Sequence, residues 1–121
     1  NWKNENVYNS TGFIYACGYN RIETVKYLIT IDRINVNLVD YRGQSGFFIA
    51  CLNGNNEIVQ ILLDDPRVDL MLSDEYNWSP LMGAAYEGRT ETVKRILFCT
   101  NQQETVKKYG KELNIKGING V

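Results

Sequence analysis

Three stretches of the chain are near copies of one another at a fixed offset. IETVKYLI occupies 22–29, NEIVQILL 56–63 and TETVKRIL 90–97, so Glu23, Glu57 and Glu91 fall 34 residues apart. Val25, Val59 and Val93 keep the same step, as do Leu28, Leu62 and Ile96. A period of this size constrains the fold more than composition does, because so short a unit cannot bury its own apolar face and has to stack on its neighbours. The register extends to either side. TGFIYAC (11–17) aligns with SGFFIAC (45–51) and SPLMGAA (79–85), and NVNLVD (35–40) aligns with DLMLSD (69–74). The units therefore run over 6–39 and 40–73, with a third starting at 74.

Each unit reads as two short helices and a turn. Thr11, Ser45 and Ser79 each place a hydroxyl where it can cap the first orphan amides of a helix, and Pro80 sits at the first helical position, where its missing N–H is harmless. Small pairs (Ala16-Cys17, Ala50-Cys51, Ala84-Ala85) allow a neighbouring helix to approach closely. Gly54 and Gly88 stop the first helix in a left-handed turn, and Asn20 does so in the first unit. The second helix carries its Glu at the dipole-favoured end. Its apolar positions 58, 59, 61, 62 and 63 cover a face too wide for one partner, so it is sandwiched between units. A turn-forming stretch with Asp40 and Gly43 links one unit to the next.

This pattern resembles the ankyrin repeat, a turn followed by two antiparallel helices, stacked in a curved array. The resemblance implies an all-α solenoid of helix-turn-helix units joined by hairpin-like turns, and it covers nearly the whole chain. The departures are specific. The family's Thr-Pro-Leu-His stands here as Thr11-Gly12-Phe13-Ile14, Ser45-Gly46-Phe47-Phe48 and Ser79-Pro80-Leu81-Met82, and the chain contains no histidine. Two prolines are replaced by glycine, which loses more backbone entropy on folding. Extra apolar packing at Ile14, Phe48 and Met82 is expected to offset this.

Both ends look cut. Asn1-Trp2 aligns with Asn35-Val36, the tail of a preceding repeat, and ELNIKGINGV near the C-terminus reads as a further inter-repeat turn with Leu113 matching Leu70. That match is nine residues late, so the third repeat spans 74–116 with an insertion near 99–112. Within it QQETVKKYG (102–110) is expected to form an extra helical turn. The array is thus expected to be an excised portion of a longer repeat chain, with partial repeats at both ends.

Composition narrows the function. A net charge of −1 gives no field for holding nucleic acid, and what basic bias exists is local, at Lys107, Lys108, Lys111 and Lys116. No apolar run approaches a membrane span, so no membrane insertion is expected. Three cysteines without metal-ligand spacing read as reduced thiols and an intracellular, cytoplasmic location. Without histidine, Ser-His and Cys-His catalysis is excluded. Cys17 and Cys51 hold the same station in successive units and read as small core residues, while Cys99 is a candidate exposed thiol. Asp64-Asp65 before Pro66 suits a helix-ending turn. No catalytic residue, cofactor or metal site is expected.

By resemblance to the family, a partner protein docks on the concave side, formed by the turn tips and the exposed face of each first helix. Those positions are Val7, Tyr8, Ser10, Gly18 and Tyr19 in the first repeat. They are Tyr41, Arg42, Gln44, Leu52 and Asn53 in the second, and Glu75, Tyr76, Trp78, Tyr86 and Glu87 in the third. Six of the fifteen are aromatic against 12% across the chain, and exposed aromatics are the usual interface anchors. Tyr41 and Tyr76 are expected to be equivalent positions one repeat apart, at turn tips, with Tyr86 behind them on the exposed face of the first helix. Trp78 reads equally well as packing on the adjacent turn. The function implied is a non-catalytic interaction module, scaffold or adaptor. The alternative is a regulatory or targeting segment of a larger enzyme whose catalytic domain lies elsewhere.

Overall fold

A computed structural model of the chain describes residues 5–101. The extra helical turn expected at 102–110, most of the insertion, the four C-terminal lysines and the partial repeats at the two ends lie outside the described residues. Within them the chain forms α1 (Glu5–Gly18), α2 (Ile22–Leu28), α3 (Gly46–Asn53), α4 (Asn56–Leu63) and α5 (Pro80–Tyr86). A sixth helix, α6, begins at 90 and reaches 101. No strand is formed among the described residues. The one β-type feature is an isolated bridge between Val39 and Ser45.

Local chemistry sets these boundaries. The Ser45 hydroxyl accepts the Phe48 N–H at 3.1 Å and the Ser79 hydroxyl that of Met82 at 3.2 Å, so both cap their helices. Asn20, Gly54 and Gly88 adopt φ of 59°, 70° and 74°, the left-handed stops. The first unit departs from the expected pattern. Thr11 does not cap: α1 runs through it, and its hydroxyl donates back to the Val7 carbonyl at 2.8 Å. The other two units open on Asp40 and Asp74, whose carboxylates each gather two turn amides, and the corresponding position in the sequence of the first unit is Asn6.

The first helices form one layer, α1 against α3 against α5. The second helices form the other, with α2 against α4, and each packs on the first helix of its own unit. Phe13, Phe47, Val25, Ile58, Val59 and Leu62 are fully buried between the layers. α4 buries Ile58, Val59, Leu62 and Leu63, as its wide apolar face requires. The close approach of α1 and α3 depends on Gly46. A methyl there would sit 2.9 Å from Cys17 Sγ and 3.0 Å from the Phe13 ring. Of the positions expected to add apolar packing, Ile14 and Phe48 are buried, but Met82 is 47% exposed. Ile14 and Phe48 each have a following unit to pack on, and Met82 lies on the last first-layer helix among the described residues.

Without histidine, polar contacts between units come from asparagine and arginine. Asn55 Nδ2 donates to the Cys17 and Gly18 carbonyls at 2.8 and 3.3 Å, and Arg89 Nε donates to the Leu52 carbonyl at 3.0 Å. Both bridge from one unit to the final turn of the first helix in the unit before, where carbonyls run out of helical partners. In the loops, Arg67 Nη2 donates to the Ile29 carbonyl at 2.8 Å. Asn37 uses both ends of its amide, donating to the Arg67 carbonyl and accepting the Asp69 N–H, each at 2.8 Å. Thr92 donates to Asn56 Oδ1 across the second layer.

Candidate functional site

The turn tips and first helices present one continuous face, and the turns are held by carboxylates. Asp40 Oδ1 accepts the N–H groups of Arg42 and Gln44, and Asp74 Oδ1 those of Tyr76 and Trp78, all at 2.9 Å. Gly43 (φ 77°) and Asn77 (φ 63°) take the left-handed station in each tip. Glu75 N–H donates to the Arg42 carbonyl at 3.1 Å and links the two tips. That contact leaves no room for a side chain at 43, since a Cβ would lie 2.9 Å from Glu75 N. The tips are therefore a braced platform.

On this platform the tyrosines stand out. Tyr41 is 90% exposed, Tyr76 and Tyr86 74% each, and Tyr19 69%. Tyr41 and Tyr76 lie on successive turns but at different stations. At the 34-residue step Tyr41 corresponds to Glu75, and Tyr76 to Arg42 and Tyr8. The Arg42 guanidinium lies 5.3 Å from the centroid of the Tyr41 ring. Trp78 is half-buried and meets Tyr86 edge-on, with centroids 5.2 Å apart and planes at 88°. Asn53 is exposed yet tied, its Nδ2 donating to the Gly18 carbonyl at 3.0 Å, and Gln44 is half-buried, its carbonyl accepting the Asp40 N–H. Glu87 ends α5 and is exposed, as is Glu75. Three residues sit otherwise than expected. Ser10 is buried, its hydroxyl accepting the Asn35 N–H at 2.9 Å. Tyr8 and Val7 are exposed on α1 rather than on a turn.

Two grooves open between the units. The larger, of ≈ 430 Å³, lies between the first and second, with Ile14, Leu38, Val39 and Ile49 among its walls and Tyr15, Tyr19, Tyr41, Arg42 and Asn53 around them. The other, of ≈ 350 Å³, lies between the second and third and brings Gln44, Trp78, Tyr76 and Tyr86 together over Phe48 and Leu52. Tyr15 and Ile49 were not among the expected site residues. The signal was present: Thr11, Ile14, Tyr15 and Gly18 follow the i, i+3, i+4, i+7 spacing of one helical stripe, and all four line the larger groove.

The thiols do not contribute a reactive centre. Burial pushes Cys17 up to about 12, and Cys51 is raised further by burial and by its neighbour Cys17. Cys99 is half-buried rather than exposed, with Sγ 3.9 Å from the Leu63 carbonyl. It too is raised, by burial and then by Asp64. Among the described residues no group of three or more His, Cys, Asp or Glu converges on a metal-sized site.

A family model of ankyrin repeats, in three copies, matches residues 13–108. The chain belongs to the ankyrin repeat family. No curated protein matches it by sequence. Ankyrin repeats are generally protein–protein interaction modules and are typically non-catalytic. This ankyrin array contains no histidine, and Asn55 and Arg89 each bridge one unit to the next. No helix among the described residues is long and apolar enough to cross a membrane.

Proposed function

We propose that the chain is a non-catalytic interaction module, a scaffold or adaptor, that binds a partner protein across the concave face of turn tips and first helices. On this reading the contact residues are Tyr8, Tyr19, Tyr41, Arg42, Gln44, Asn53, Tyr76, Trp78, Tyr86 and Glu87, with Tyr15 added from the groove geometry. The array is divided into repeats near 6–39, 40–73 and 74–116, and works inside the cell, in the cytoplasm. The supporting observation is the row of exposed rings set around two apolar-floored grooves on a braced platform. A cluster of large exposed aromatics is costly to leave in water, and such patches mark contact sites.

The test uses peptides selected from a random display library on the immobilised chain. Changing Tyr41 and Tyr76 together to Ala is expected to cost less than about 0.5 kcal/mol of stability per site, since both rings are largely free. Peptide binding should fall by roughly 2 kcal/mol or more where either ring is an anchor. Selected peptides that bind the double variant as well as the parent would refute the assignment.

A further inference from the structure

The second and third turns are organised alike but carry different residues between carboxylate and cap, YRGQ at 41–44 against EYNW at 75–78, and one of these differences removes a cation. Each turn is organised by a carboxylate that holds two amides. At the second turn the chain supplies its own cation, with Arg42 Nη2 3.8 Å from Asp40 Oδ2 and the guanidinium over the Tyr41 ring. At the third turn the residue in Arg42's place is Tyr76, and among the described residues no Lys or Arg forms an ion pair with Asp74. Both carboxylates border a groove, Asp40 beside its own Arg42, and Asp74 beside Tyr76, Trp78 and Tyr86 and above the apolar Phe48 and Leu52 in the ≈ 350 Å³ groove.

Resting on the interaction reading above, we propose that this groove takes a lysine or arginine side chain of the partner protein, supplying in trans the cation that Arg42 supplies in cis one repeat earlier. The chemistry is complementary at each level. Aromatic faces attract cations through their quadrupole. Phe48 and Leu52 suit the methylene stem that such side chains lay along apolar surface. A neutral apolar occupant would strip water from the half-buried Asp74 carboxylate without compensating it, and an acidic one would repel it. The edge-on contact of Trp78 and Tyr86 holds the two rings at an angle, so that both stand against the groove.

The probe is Nα-acetyl-arginine methylamide, compared with its neutral isostere Nα-acetyl-citrulline methylamide, titrated into the isotope-labelled full chain by NMR. Saturable shifts are expected at the Tyr76 and Trp78 amides and the Trp78 indole, with citrulline weaker by about threefold or more, the effect of one cation–π contact and one part-exposed ion pair. Asp74→Asn keeps the oxygen that holds the turn but removes the charge, so it should abolish the preference for arginine. Tyr86→Leu, which leaves the turn untouched, should weaken arginine binding by a similar factor and serves if the asparagine variant loses helicity. Equal response to the two probes, a preference that survives Asp74→Asn, or shifts confined to other acidic surfaces would overturn the proposal. If display-selected peptides still depend on Tyr41 and Tyr76 while arginine shows no preference, the interaction reading stands and this inference falls. If neither peptide nor probe perturbs the face, both fall.

Discussion

Asn55 ties the second unit to the end of α1, and its removal has a calculable cost. Its side-chain amide donates to the Cys17 and Gly18 carbonyls at 2.8 and 3.3 Å, reaching from the second unit to the end of α1. Arg21 N–H goes to the Ala16 carbonyl and Tyr19 N–H to that of Tyr15, so the helix offers these two oxygens no equivalent donor. Asn55→Ala therefore leaves the Cys17 carbonyl without its donor in a part-buried seam, while the Gly18 carbonyl keeps that of Asn53; an unsatisfied polar group there costs about 1–3 kcal/mol. Water recovers some of this at the open side, which places the net loss near 2 kcal/mol. For a chain of this size that corresponds to about 8 °C in melting temperature.

Urea unfolding followed by far-UV circular dichroism reads this directly, as a lower midpoint with an unchanged slope. Asn55→Asp sharpens the test. It keeps the shape but turns an acceptor toward two carbonyl oxygens, so it should be less stable than the alanine variant. An alanine variant within about 0.5 kcal/mol of the parent, or an aspartate variant as stable as the parent, would show that the seam does not depend on this amide.

Three further outcomes follow from the packing and the charges. Gly46→Ala should destabilise by about 1–3 kcal/mol in the same assay despite alanine's better helix propensity, because the new methyl meets Cys17 Sγ at 2.9 Å. Cys17 and Cys51 should resist alkylation at neutral pH until the array unfolds, since burial raises both thiols and suppresses the thiolate; mass spectrometry of the pulse-labelled native chain checks this. Asp65 is held below the usual carboxylate range by the hydrogen bonds of Arg67, so its contribution is present above the unfolded value of about 3.9 and is lost as pH falls through the lower folded one. Arg67→Gln should flatten that acid limb of the stability profile.

The 34-residue step, the serine caps at 45 and 79 and the left-handed stops at 20, 54 and 88 were all legible in the sequence. Each depends on interactions within a few residues, a hydroxyl three positions from an amide or a residue that tolerates positive φ. The continuous α1 was harder to foresee, because Thr11 looks like Ser45 and Ser79 and differs only in what precedes it. Among the candidate site residues, those at the turn tips followed from the period, whereas Tyr15 and Ile49 entered only once two helices had been set side by side.

Tertiary structure decided which of several equivalent positions are covered. Ile14, Phe48 and Met82 occupy one station of the repeat, yet Phe48 is 2% exposed and Met82 47%. Burial depends on what the next unit presents, and a repeat carries no information about its neighbours in its own residues. The sequence by itself determined the unit and its step through short-range backbone and capping chemistry; stacking alone decided which faces remain open to a partner.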